Sequence, residues 1–200
     1  MAKKLIRHLN DISKIHHRAA FTDVLKHTAP KPSQFLTLAG ERYSCRSFDT
    51  REVPDELVES ILEAARLAPT ACNYQPVHVW VVRTEEALEK LGKTTQYLYG
   101  SRLVFIVGCN PSEAWVRKYD EKNGAEVDAA IVGTHIMMEA ADLGLGSVWV
   151  GSFDPAAIAE AFPEVAGWDI VALFPVGYPA SAPTPGHAQR KPIEEFASEL

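Results

Sequence analysis

The sequence predicts an α+β domain behind a helical N-terminal extension, and three observations carry that reading. Helical and strand-like segments follow one another without the regular alternation of a doubly wound sheet. Leu103–Cys109 is a continuous apolar run of strand length, which marks a strand buried on both faces. Residues 125–143 carry Val127, Ile131, Val132, Ile136, Met137, Met138, Ala140 and Ala141 nearly all the way round a helix, so that helix is covered on most sides.

The elements follow in order. Residues 1–32 read as the extension, with a helix over 10–26 that packs on a neighbour; the break is Ala29-Pro30-Lys31-Pro32, because a residue before proline is pushed out of the helical region. The domain proper occupies 33–200. Ser33 caps a short helix, 34–42. Val53-Pro54-Asp55-Glu56 opens the next, with proline and an acidic pair suited to its positive end, and Leu57, Ile61, Ala64, Ala65 and Ala68 at helical spacing before Pro69. A strand follows at 77–82, then a helix capped by Thr84 and running through Leu91. After strand 103–109, Asn123-Gly124 turns the chain into the long helix 125–143, which Gly144 and Gly146 end. A strand over 147–151, a short helix capped by Asp154-Pro155, a strand over 171–178 and a proline-rich tail complete the chain.

Composition excludes several function classes. Two hundred residues, 46% hydrophobic and 23% charged, describe one globular domain and not a disordered or fibrous chain. Net charge is −6 and pI about 5.6, which disfavours nucleic acid as a partner because phosphate neutralisation needs a basic face. No apolar stretch approaches the ~20 residues needed to cross a bilayer. The start has no apolar signal core, so the expectation is a cytoplasmic protein. Cys45, Cys72 and Cys109 lack metal-ligand spacing and read as free thiols in a reducing compartment. His16 and His17 point to different faces of one helix, so the N-terminal histidines (His8, His16, His17, His27) read as solvated and no metal site is expected.

Four segments could carry chemistry. In 41–48, an extended chain puts Arg42, Ser44 and Arg46 on one side, two guanidiniums and a hydroxyl suited to a dianionic phosphate; spacing alone fits a solvated basic turn equally well. Residues 68–76 form a loop between helix and strand whose Thr70, Asn73 and Gln75 offer hydroxyl and amide groups. In 144–151, glycines flank a strand and allow close approach of backbone to a flat ligand, although a C-cap explains Gly144 by itself. Arg190 and Lys191 alone are ordinary tail charges.

Taken together, in this order, the segments resemble the FMN-dependent nitroreductase family from Phe35 to Phe196. The features that carry the resemblance are Arg42, Ser44, Arg46 and Phe48, the APTACNYQP loop, GLGSVWVGSF, and the closing PVGYP and RKP. The resemblance implies a mostly antiparallel central sheet wrapped by helices, a two-fold homodimer with helix 125–143 at its core, and FMN in two interface clefts. It places Arg42, Tyr43, Ser44 and Arg46 on the FMN phosphate, with Arg190 closing over it. Pro69, Thr70, Ala71, Asn73 and Gln75 fall on the loop that meets the flavin of the neighbouring subunit. Val150, Gly151 and Ser152 fall at the flavin ring. The implied activity is ping-pong hydride transfer from NAD(P)H through FMN to a nitroaromatic, a quinone or a similar acceptor; the alternatives are other FMN chemistry on the same scaffold, such as reductive dehalogenation or a flavin-consuming reaction, and a flavin-binding or storage protein without turnover. FMN carries that chemistry, so no catalytic side chain is assigned.

The sequence departs from the family in having Ala188 where a second basic residue often stands two before Arg190, and in a short 92–125 region. Trp115, Arg117 and Tyr119 read either as a lid over the flavin or as a surface loop. Asp128 and His135 share a helix face and read as structural, with a contact across the subunit interface as the alternative.

Overall fold

A computed structural model describes residues 33–200, so the predicted extension, its helix and its histidines lie outside the described residues. The described chain falls into two compact units: residues 42–182, and residues 33–41 with 183–200.

The larger unit is built on a four-stranded antiparallel sheet in the order β1-β2-β4-β3: β1 (Val77–Val82), β2 (Leu103–Cys109), β3 (Gly146–Ser147) and β4 (Asp169–Gly177). All seven residues of β2 are buried. Their alternation explains why: Leu103, Phe105, Val107 and Cys109 enter one core, Val104 and Ile106 the other. The first core is closed by α2 (Asp55–Arg66) and α4 (Ala125–Asp142), the second by α3 (Glu85–Gly92) and α5 (Pro155–Ala161). The sheet is thus a central layer with helices on both faces, an α+β arrangement.

The predicted caps are present. The Thr84 hydroxyl accepts from the Ala87 N–H at 3.3 Å, and the Asp154 carboxylate from the Ala156 and Ala157 N–H groups at 3.0 and 3.1 Å. The Asn123 Oδ1 accepts from the Ala125 N–H at the start of α4.

The strand predicted over 147–151 is a correction. Regular pairing covers only Gly146–Ser147, and Val150 re-forms a bridge with Leu173 through two hydrogen bonds of 2.9 and 3.0 Å. Between them the chain faces Pro175, which has no N–H to donate. Val148 donates to the Pro175 carbonyl at 3.4 Å and receives nothing in return. The ladder keeps its register and loses one rung.

Helix α4 packs closely on the sheet. It buries Ala125, Asp128, Ala129, Val132, Gly133, Ile136 and Ala140, while Val127 is 53% exposed and Ile131, Met137 and Met138 are half-buried. The described residues therefore cover one side of the helix and leave Val127 exposed, with Ile131 and Met138 half-buried near it, along the other. No described helix is long and apolar enough to cross a membrane.

In the smaller unit, α1 (Gln34–Glu41) is capped by Ser33, whose hydroxyl accepts from the Leu36 N–H at 3.1 Å. His187 Nε2 lies 3.1 Å from the Gly40 carbonyl, joining the tail to α1. The unit ends in α6 (Ile193–Phe196).

Candidate functional site

Two of the four segments meet along one seam. Cys45 donates its N–H to the Ser147 carbonyl at 2.9 Å, and Ser44 pairs in parallel with Ser147. Gly146 makes the approach possible: a Cβ there would stand 2.7 Å from Cys45 Cβ and 2.8 Å from its sulfur. The close approach read from this glycine serves a neighbouring strand segment. At the seam Cys45 points inward and is fully buried, while Ser44 and Arg46 are exposed on the other side.

Beyond the seam an open cleft of about 170 Å³ is lined by Arg46, Tyr97, Tyr99, Val148, Trp149, Val150, Gly151 and Ser152. It unites a guanidinium, three aromatic rings, two valines and exposed backbone at Gly151 and Ser152. Tyr97 and Tyr99 come from the 93–101 connection, which is pinned under the cleft floor: the Thr95 hydroxyl donates to the Ser152 carbonyl at 2.7 Å, and the Asp154 N–H to the Thr94 carbonyl at 2.9 Å. Sequence reasoning missed both tyrosines. The signal available was a run of polar and aromatic residues with Gly100, and Tyr99 itself stands at φ 54°.

The remaining predicted residues are placed as follows. Arg46 donates to the Ser44 carbonyl at 3.4 Å, and the Tyr43 hydroxyl to the Ser181 carbonyl at 2.7 Å. Burial, with Cys45 nearby, pushes the Tyr43 hydroxyl above its ordinary pKa, so it stays protonated. Arg42 is half-buried beside them in sequence. Arg190 belongs to the smaller unit, where its guanidinium donates to the His187 and Gln189 carbonyls at 2.7 Å each.

The 69–75 loop lines no part of that cleft. It contains a short 3₁₀ turn, Ala71–Asn73, and three non-glycine residues in the left-handed region: Cys72 at φ 52°, Asn73 at 55° and Gln75 at 55°. Thr70 organises it, accepting the Asn73 N–H on its carbonyl and the Gln75 N–H on its hydroxyl, both at 3.0 Å. Asp128 reaches across from α4 to accept the Ala71 N–H, and His135 Nδ1 instead lies 2.9 Å from the Ile131 carbonyl, so the two share no contact of their own.

Trp115–Asn123 is a compact hairpin. Val116 bridges Asn123, Gly124 donates to the Trp115 carbonyl at 2.9 Å, and Arg117 forks onto Asp120. Tyr119 at its tip is 83% exposed. A second recess of about 270 Å³ lies between Glu52, Asp55, Arg83 and Arg102, whose charges pair as Arg83–Asp55 and Arg102–Glu52. None of the predicted site residues lines it.

An antiparallel sheet covered on both faces, with a cationic, aromatic-walled cleft at the seam, defines a small α+β ligand-binding protein. Comparison with known proteins identifies its kind. The Nitroreductase family model matches residues 39–96 and 93–178, and the chain belongs to that family. A provisionally named NADH dehydrogenase/NAD(P)H nitroreductase of Methanothermobacter thermautotrophicus is 33% identical over 157 residues, covering 71% of this chain and 75% of that protein. Among solved structures, a nitroreductase family protein from Clostridium difficile shares 35% identity with a TM-score of 0.78, over 83% of this chain and 98% of that one. A structure from Desulfovibrio desulfuricans, solved in complex with FMN, shares 25% identity with a TM-score of 0.71, over 84% and 98%.

Proposed function

We propose that this protein is a cytoplasmic, FMN-dependent oxidoreductase that passes a hydride from NAD(P)H through FMN to a nitroaromatic, a quinone or a similar acceptor. The observation that carries this reading is the cleft at which Arg46 meets Gly151 and Ser152 between aromatic walls. Its donor set fits FMN. A guanidinium suits the phosphate dianion, backbone N–H groups suit the polar edge of a flat heterocycle, and Tyr97, Tyr99, Trp149 and the valines suit its apolar faces.

When bound, FMN supplies the two-electron hydride chemistry. The chain's own residues bind and orient. Arg46, with Arg42 and Ser44, would hold the phosphate end. Gly151 and Ser152 would meet the ring edge; a Cβ at Gly151 would touch only the Trp149 Nε1, at 3.8 Å, so the backbone there is open to approach. The aromatic walls would keep water from the ring. The donor and the acceptor would use the same open face in turn, which gives ping-pong kinetics.

The cleft of one chain is small. About 170 Å³ falls below the roughly 300–1,000 Å³ of a complete small-molecule pocket. This supports a shared site, completed by the 69–75 loop of a second copy, with the Val127 side of α4 as the contact between copies.

Chromatography of the flavin released on denaturation, together with an NAD(P)H oxidation assay with and without menadione or a nitrobenzoate, tests the reading. FMN and acceptor-dependent NAD(P)H consumption are expected. FAD as the major flavin, or tight FMN that NAD(P)H leaves oxidised, would overturn it.

A further inference from the structure

Asp128 is an expensive residue to keep where it is. It stands in the first turn of α4 and is 2% exposed. Its Oδ1 accepts the Ala71 N–H at 2.9 Å, while its Oδ2 is buried and accepts nothing among the described residues. A carboxylate taken out of water with half its acceptor capacity unused is disfavoured. The helix dipole welcomes an anion here, but it would welcome an exposed one as well, as it does Glu126 in the same turn. What burial adds is a fixed reach to the 69–75 loop.

That loop needs holding. Three of its residues occupy a backbone region that side chains other than glycine rarely adopt. Its other hydrogen bonds, from Asn73, Tyr74 and Gln75 back to Thr70, Ala71 and Asn73, are internal, and the next tie to the body comes after it, at Pro76, whose carbonyl accepts the Asn110 N–H at 2.8 Å. Strained backbone of this kind persists where surroundings over-determine it, and it concentrates at functional sites.

We propose that Asp128 is a positioning residue for the cofactor: by gripping the Ala71 amide it sets the conformation in which the Ala71–Gln75 segment is presented to the flavin. The inference rests on the reading of that loop as a flavin contact. It makes Asp128 a determinant of FMN affinity without placing it in contact with the flavin.

The test compares the wild-type chain with Asp128→Ala, Asp128→Asn and Ala71→Pro. Asn keeps an acceptor for Ala71. Proline at 71 removes the donor and puts its Cδ where the N–H met Asp128, so it breaks the same grip from the loop side, and Thr70 before it, at φ −128° and ψ 158°, already has the extended backbone that a residue preceding proline adopts. Two quantities are read: FMN affinity by fluorescence quenching, and the iodoacetamide rate of Cys72, which is exposed while Cys45 and Cys109 are buried.

Asp128→Ala and Ala71→Pro should each weaken FMN binding about ten- to a hundredfold, the scale of one charge-assisted hydrogen bond. Both should shift the Cys72 rate in the flavin-free protein, and Asp128→Asn should return both readouts to near the wild-type values. Unchanged affinity and an unchanged Cys72 rate in folded Asp128→Ala overturn the proposal, and so does a lowered Tm with unchanged affinity, which a purely structural role would give. If Asp128→Ala fails to fold, Ala71→Pro decides by the same two readouts. If the wild-type protein binds no FMN, the functional reading fails instead, and the flavin-free Cys72 rates still decide whether the grip on Ala71 shapes the loop.

Discussion

Gly133 of α4 lies directly on Phe174 of β4: a Cβ added to the glycine would stand 2.4 Å from the phenyl Cζ and 3.0 Å from Trp149 Cζ3. This contact sets how close the long helix comes to the sheet, and through Trp149 it reaches the wall of the cleft. An alanine would raise helix propensity by up to about 1 kcal/mol. Overpacking in a closed core costs typically 1–3 kcal/mol and wins here because both neighbours are rings held on other elements. Gly133→Ala should therefore lower Tm by several degrees in a thermal melt followed by circular dichroism; an unchanged or higher Tm would show that the helix can lift without cost.

The phosphate assignment separates two arginines. Arg46 lines the cleft, while Arg190 donates to the His187 and Gln189 carbonyls of its own tail. Arg46→Ala should weaken FMN binding about ten- to a hundredfold, since hydrogen bonds to charged groups are worth roughly 1.5–3 kcal/mol. Arg190→Ala should weaken it less. Flavin fluorescence titration of both variants checks the order, and equal, negligible losses would remove the phosphate from this seam.

Dimerisation and cofactor retention should be one event. Val127 is exposed on α4, and Ile131, one turn on, is half-buried, packed in part against its own core. A charge at Ile131 would have to be desolvated at any interface formed there. Ile131→Asp should give a monomer that has lost its flavin although the residue lies outside the cleft. Size-exclusion chromatography with absorbance on one sample decides: a monomer holding stoichiometric FMN would mean that one chain makes the whole site.

Alkaline stability carries the signature of Cys109. Burial, aided by the carboxylates of Asp169, Glu126 and Asp128, pushes its thiol up to about 11 from an ordinary value of 9.0. The folded state therefore holds this proton more tightly than the unfolded state does. The resulting stability is fully present below pH 9 and is lost as pH rises toward 11. The wild-type Tm should fall more steeply than that of Cys109→Ala over this window, whatever their difference at neutral pH; parallel curves would show that the thiol ionises freely.

Much of the fold was legible because its strongest signals are local. The bounds of β1 and β2 and the caps at Ser33, Thr84 and Asp154 follow from apolar runs and from hydroxyl or carboxylate groups placed before helices. The strand over 147–151 was overextended because its interruption is written elsewhere, in the missing N–H of Pro175, which faces it only after folding. The site was legible in part for the same reason. Arg46 and Val150–Ser152 are singled out by the motifs that carry the resemblance, whereas Tyr97 and Tyr99 line the cleft on a segment held by bonds from Thr95 to Ser152 and from Asp154 to Thr94, which have no local signature. Asp128 looked like a helix-terminus charge because its partner, Ala71, lies far away in sequence.

Trp149 stands edge-on to Phe174, with ring centroids 5.0 Å apart at 82°, and it forms part of the cleft wall. Trp80 and Trp168 pair with each other elsewhere, 5.6 Å apart, and Trp115 sits in the hairpin. The molecule therefore carries its own optical gauge. Flavins absorb in the range where indoles emit, so a chromophore entering the cleft should dim Trp149 most strongly by energy transfer. Loading could then be followed in real time by ultraviolet excitation, with no dye attached and no turnover required.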